Sequence, residues 1–282
     1  MPDPAKGEIF AARLYGCPAA WYTPKDRERE KSERDASCAE KSGRGAVAEA
    51  APARREETGS GCQRRVNDMK YQAILFDMDG TLLDTLTDMQ AAVNYILEKY
   101  GYPTRTLEEV RRFVGNGAGP LIHRALPQGV DPDREAEILA DYRAYYQAHN
   151  CVETRPYDGI GPLLERLRQA GVRTAVVSNK PDRTTRTLAA RFFPELDGAM
   201  GQREGIASKP APDMVRAALA RLHAAPEEAL YVGDSEVDVD TARNAGLDMI
   251  GVAWGFRGRA ALEAAGAPLV ADTPEQLLDM LQ

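Results

Sequence analysis

Two carboxylates, Asp77 and Asp79, stand in the segment FDMDGTLLDT, directly after the short apolar run AILF (73–76). In an extended chain a spacing of two puts both side chains on the same side. Two anions held that close repel each other unless a cation or a proton separates them. Magnesium, a hard ion that prefers oxygen, suits such a pair. One carboxylate can then attack phosphorus while the other moves a proton. Gly80 allows a sharp turn behind them. Taken alone, the segment is equally what a turn rich in Asp and Gly looks like. A calcium-binding EF-hand loop also opens on alternating acids, but it needs Gly at its sixth place and Glu at its twelfth. Here those places hold Leu82 and Asp88.

Three further polar segments follow in order, each after an apolar run. SNKPD (178–182) follows TAVVS, and its Ser178 and Asn179 are potential hydrogen-bond donors to a phosphate. Pro181 suits the first turn of a helix, whose N-terminus favours anions. SKPAPD (208–213) sets Lys209 ahead of a helix opened by prolines. A cation beside a helix N-terminus is unfavourable without an anion, which hints at a phosphate. VGDSEVDV (232–239) places Asp234 and Asp238 around a helix start, with Ser235 as a potential cap. Each segment alone has an ordinary structural explanation. Together they fit one phosphoryl-transfer site, provided the fold brings them to a common edge.

Apolar periodicity supplies such a fold. Buried-strand runs occur at 73–76, 174–178, 198–201, 229–233 and 249–253. Helices are expected between them. One runs from Ile160 through Leu163, Leu164 and Leu167 to a stop at Gly171; others follow Pro181, span Met214–Leu222, and span Val237–Ala245. Strands alternating with helices predict an α/β fold, with a Rossmann-like parallel sheet core flanked by helices. Ligands of such sheets bind beyond the carboxyl ends of the strands, where all four segments fall. Residues 85–155 break the alternation. They read as helices at Leu86–Tyr100, Leu107–Val114, Ala118–Ala125 and Asp133–His149, without a strand. An inserted all-helical cap domain at 85–155 is therefore expected, with the core at 70–84 and 156–282.

Composition sets limits on this picture. The 282 residues are 43% hydrophobic and 28% charged, enough to build a core. The net charge of −7 argues against nucleic acid as a partner. No apolar run approaches the roughly 18 residues that a membrane-spanning helix needs. Residues 1–69 lack periodicity, carry a net charge of +1 and hold three of the four cysteines. Such a segment buries too little apolar surface to offset its ordering entropy, so a disordered N-terminal extension is expected, with Met69 as a candidate natural start. The remaining thiol, Cys151, has no partner in the body of the chain, which suits a reducing, cytoplasmic setting.

With these motifs in place, residues 71–282 resemble the haloacid dehalogenase-like hydrolase superfamily: DMDGT, SN, KP and GDSEVD match its four signatures in order. Asp79 marks the phosphatase branch, since true dehalogenases lack it. The helical insert is similar to the family's C1 cap. Within that group, LTDMQAAVNYILEKYGYP and VRRFVGNGAGPLIHRAL resemble the cap of phosphoglycolate phosphatases. The loop VGNGAG is not a dinucleotide fingerprint, because Pro120 takes the last Gly place and no strand precedes it. The resemblance implies Asp77 as nucleophile and Asp79 as acid and base. It further implies Mg2+ held by Asp77, Asp79 (through its backbone carbonyl) and Asp234, with Asp238 in support. Thr81, Ser178, Asn179 and Lys209 would bind phosphoryl oxygens, and Asn116 and Arg124 of the cap are candidates for the rest of the substrate. The expected partner is a small phosphorylated metabolite. A pyrophosphatase on the same core and a β-phosphoglucomutase-like phosphotransferase remain alternatives.

Overall fold

The computed structural model describes residues 69–282. The expected extension therefore lies outside the described residues except for Met69, which packs partly buried against the core. Six strands form one sheet: β1 (Ala73–Phe76), β4 (Arg173–Pro181), β5 (Gly198–Gln202), β6 (Ala229–Gly233), β7 (Asp248–Val252) and β8 (Val270–Ala271). Their order is β5-β4-β1-β6-β7-β8, and every neighbouring pair is parallel. β1 is thus central, between β4 and β6.

Its four residues are all buried, and they alternate between two hydrophobic clusters. Ile74 and Phe76 face the side covered by α5 (Ile160–Gln169), α6 (Asp182–Phe192) and α10 (Pro274–Met280), which contribute Leu163, Leu167, Leu188 and Leu277. Ala73 and Leu75 face α7 (Asp213–Leu222), α8 (Glu236–Ala245) and α9 (Arg259–Ala265), through Met214, Leu219, Ala242 and Leu262. A strand covered on both faces needs continuous apolar sequence, which AILF supplies.

The helices α1 (Leu86–Lys99), α2 (Leu107–Phe113), α3 (Ala118–Ala125) and α4 (Pro132–His149) follow β1 and bury their own cluster, including Val93, Leu97, Val110, Ile122, Ile138 and Tyr142. Thr106 and Glu109 close a reciprocal cap at the start of α2, and the Asp131 carboxylate caps α4. The chain leaves and re-enters the sheet core through an antiparallel ribbon, β2 (Leu83–Asp84) with β3 (Arg155–Pro156). This ribbon corrects the strand-free reading up to residue 155: two-residue strands carry no periodic trace. The Asp88 carboxylate braces the return. It accepts from the backbone N–H groups of Val152 (3.0 Å), Glu153 (2.9 Å) and Thr154 (2.9 Å), and from the Thr154 hydroxyl (2.7 Å).

A second correction concerns β4. It runs to Pro181, so Asn179 and Lys180, like Ser178, lie on the strand and not in a loop after it. Its pairing with β5 shifts register between Val177 and Pro181, which blurs the strand end in sequence. Among the described residues no helix is long and apolar enough to cross a membrane.

Candidate active site

The carboxyl ends of β1, β4 and β6 meet at one edge, and all four polar segments converge there. Asp77 is the first residue past β1, and its N–H donates to Val232 O on β6 (2.9 Å). The Met78 carbonyl then accepts from the N–H groups of Thr81, Leu82 and Leu83, curling the chain tightly. Gly80 has φ +83°, and a Cβ there would sit 2.3 Å from Asp234 Oδ2. Gly255 is equally hemmed in, since its Cβ would lie 2.3 Å from both Gly80 O and Asp234 Cβ. The two glycines leave just enough room for Asp234 to stand beside the Asp77 loop.

One carboxylate oxygen each from Asp77, Asp234 and Asp238 lie within 4.8 Å of one another. Lys209 is threaded through this group, its Nζ 2.9 Å from Asp77 Oδ1, 2.8 Å from Asp238 Oδ1 and 3.0 Å from the Tyr231 hydroxyl. Asp238 is fully engaged, because its Oδ2 also accepts from Ser235 N (3.1 Å) and Ser235 Oγ (2.6 Å). Among the described residues Asp234 accepts only from Phe256 N, at Oδ2 (2.7 Å). Burial pushes the Asp77 carboxyl up to about 7; Lys209 opposes the rise, while Asp238 and Asp79 add to it. Burial likewise raises Asp234 well above the carboxylate range, helped by Asp238 and Asp77. Burial disfavours the Lys209 cation, but Asp238 and Asp77 outweigh it and hold the ammonium charged. The anion that Lys209 requires is therefore supplied by two carboxylates, not only by an incoming phosphate.

Asp79 stands apart from that group. Its Oδ1 accepts from Thr85 Oγ1 (2.7 Å) and lies 3.1 Å from Lys180 Nζ. Both Asp77 and Asp79 face the central cavity, together with Ser178, Lys180 and Asp234. The opposite wall is largely apolar and comes from the helical layer: Met89, Val114, Leu121 and Tyr142, with Gly115 and Gly117 of the VGNGAG loop.

Other expected site residues are placed differently. Asn179 lines the cavity, but its amide is bound to backbone: Nδ2 donates to Lys209 O (3.0 Å) and Gly115 O (3.3 Å), and Oδ1 accepts from Lys209 N (2.9 Å). It thereby fixes the loop that carries Lys209. Thr81 is fully buried, its hydroxyl has no partner among the described residues, and it does not line the cavity. Arg124 and Asn116 bind each other (2.9 Å), and Arg124 also donates to Phe113 O (2.7 Å). Neither lines the cavity: α3 turns Leu121, Ile122 and Ala125 inward and leaves Arg124 outside, and Asn116, just ahead of α3, is held by Arg124.

Three participants escaped the sequence reading. Thr85 and Lys180 touch Asp79, and the segment after β7 closes on Asp234 through Phe256 N. Arg257, next in line, donates to Val114 O (2.6 Å) and to Glu236 (3.2 Å), joining the core to the helical layer. Lys180 had one available signal, a charged residue continuing a run of buried strand residues.

A family model described as haloacid dehalogenase-like hydrolase matches residues 74–252. The chain belongs to the haloacid dehalogenase-like hydrolase family. Among curated members, the phosphoglycolate phosphatase of Pseudomonas putida is 34% identical over 220 residues, covering 74% of this chain and 76% of that one. The N-acetylmuramic acid 6-phosphate phosphatase of Pseudomonas aeruginosa is 32% identical, covering 76% and 96%. A crystal structure from Lactobacillus delbrueckii subsp. bulgaricus, provisionally named a phosphoglycolate phosphatase, superposes with a TM-score of 0.72 at 36% identity, covering 76% and 99%. The family's parallel sheet flanked by helices is the architecture seen here.

Proposed function

We propose that this haloacid dehalogenase-like hydrolase is a Mg2+-dependent phosphatase acting on a small phosphomonoester through an aspartyl phosphate on Asp77. The observation that carries this reading is the contrast between two neighbouring carboxylates. Asp77 lies among buried charges beside Lys209, while Asp79 faces the same cavity with different partners. An acid–base group and a nucleophile need such separate settings.

The acidic group fits a divalent cation. Asp77 and Asp234 are buried carboxylates that the fold drives toward protonation, and a hard cation would relieve both. Asp77, Asp234 and the main-chain carbonyl of Asp79 would hold it, with Asp238 supporting, since both Asp238 oxygens are already taken. When bound, Mg2+ supplies positive charge to the phosphoryl oxygens and offsets the repulsion between Asp77 and the substrate. Lys209 adds a cation beside Asp77, and Ser178 offers a hydroxyl from β4. Asp77 attacks phosphorus. Asp79 gives its proton to the departing alcohol, then takes one from the water that releases phosphate. The apolar wall from α1, α3 and α4 limits bulk water around these steps.

Phosphoglycolate is the leading substrate. Both curated relatives named above act, by name, on phosphomonoesters of an acid, which makes the larger N-acetylmuramic acid 6-phosphate the second candidate. Phosphate release from these two compounds, from pyrophosphate and from sugar monophosphates, with and without Mg2+, tests the reading. Asp77→Asn is expected to abolish turnover. Undiminished activity in that variant, or hydrolysis of pyrophosphate alone, would overturn it.

A further inference from the structure

Lys180 is a buried cation for which the reaction above has no use. Its side chain is 3% exposed and extends from β4 into the cavity. The ammonium stands 3.1 Å from Asp79 Oδ1 and donates to the Tyr146 hydroxyl on α4 at 2.7 Å. Thr85, at the start of α1, donates to the same Oδ1 at 2.7 Å. Among the described residues nothing donates to Asp79 Oδ2. The Thr85 hydrogen bond and the Lys180 ion pair thus both fall on Oδ1 and restrain the rotation of this carboxylate, while Oδ2 has no such donor. Burying a lysine is unfavourable unless its charge is paired and its protons are bound. Tyr146 answers part of that need, since burial keeps its phenol protonated and its oxygen available as an acceptor.

We infer that Lys180 is a positioning residue: bridging Tyr146 of the helical layer to Asp79 Oδ1, it reserves Asp79 Oδ2 for proton transfer. The inference rests on the phosphatase reading. In the first half-reaction an Asp77 oxygen bonds to phosphorus as the bond from phosphorus to the alcohol oxygen breaks. The bonding pair stays on that oxygen, which takes the proton from Asp79 Oδ2 and leaves as a neutral alcohol. Without Lys180 only the Thr85 hydroxyl restrains Asp79 Oδ1 among the described residues, so the carboxylate turns more easily about its bond to Cβ and either oxygen can carry the proton. Because Tyr146 sits on the helical layer, the alignment of Asp79 also depends on that layer being seated over the sheet edge.

The consequence is a dependence on the leaving group. An alkyl alkoxide is a poor leaving group and needs the proton, whereas p-nitrophenolate leaves with little help. kcat/KM reports the steps through alcohol release, so it isolates this half-reaction. Lys180→Met in the full chain is expected to lose at least about tenfold more kcat/KM on phosphoglycolate than on p-nitrophenyl phosphate, within the range general acid catalysis supplies. Mg2+ affinity should be retained. Equal losses on the two substrates would mean that Lys180 merely supports the fold, and would overturn the inference. Should Lys180→Met fail to fold, Tyr146→Phe removes one contact to Nζ and keeps the ring. It is expected to show the same selective loss at smaller size, and an unselective loss would again overturn the inference. A wild-type chain that releases no phosphate from phosphoglycolate, N-acetylmuramic acid 6-phosphate or p-nitrophenyl phosphate would instead refute the phosphatase reading.

Discussion

Asp77 and Asp79 are chemically identical and two residues apart, and their neighbours make them different. Asp77 shares Lys209 with Asp238, and burial raises it to about 7; Asp79 leans on Thr85 and Lys180. Lys209 is the pivot of the buried charges. Lys209→Met is expected to leave Asp77 and Asp238 unpaired, destabilising the Mg2+-free protein by roughly 3–5 kcal/mol in urea unfolding. The same variant should release no phosphate. Gly80 works by absence, because any side chain there would overlap Asp234 Oδ2. Gly80→Ala is expected to weaken Mg2+ binding by about tenfold or more, read by calorimetry, as displaced support of a metal ligand does. Unchanged affinity would argue against Asp234 as a ligand. The residue types at these places were legible in the sequence. Their partners were not: Lys209 reads as a cation awaiting phosphate until Asp77 and Asp238 are seen beside it.

Elements matter here chiefly at their ends. The apolar runs located β1, β6 and the buried faces of α5 and α7, since a run sealed on both faces of a sheet leaves a clear pattern. The ribbon β2–β3 left none, and the register shift in β4 hid the fact that Asn179 and Lys180 still ride on a strand. The start of α1 carries a second device. Asp88 gathers three backbone N–H groups and one hydroxyl from residues 152–154, fixing the point where the helices hand the chain back to the sheet. Asp88→Ala would strand those donors, and about 2–4 kcal/mol of stability should be lost in urea unfolding. Asp88→Asn, which keeps one acceptor, should lose less. A loss confined to measurement error would show that water replaces the carboxylate without penalty.

For the molecule as a whole, the gathered carboxylates are expected to tie stability to pH and, on the proposed Mg2+ reading, to metal. In the metal-free protein Asp77 is raised above its ordinary 3.8, so the folded state holds its proton more tightly than the unfolded state. That contribution is fully present below 3.8 and is lost as pH rises through about 7. Without Mg2+, raising the pH from 6 to 8 should therefore lower Tm by the share due to Asp77. Mg2+ competes with that proton, so its stabilisation should grow over the same interval, and calorimetry in buffers of different ionisation enthalpy should register proton release near pH 6. A Mg2+-induced Tm shift that did not vary with pH would contradict the ligand assignment. The linear order of residues settled the four polar segments and the parallel α/β plan, because composition and periodicity act over a few turns of chain. Tertiary structure decided which of those residues meet. Arg124 fell outside the cavity through the rotation of one helix and Asn116 is held beside it, whereas Lys180 was brought in from an already marked segment as an unmarked residue and the Phe256 N–H from a segment with no marked chemistry. Distances of 3 Å between residues a hundred positions apart depend on how the sheet edge and the helical layer pack, and no local pattern in the chain encodes that contact.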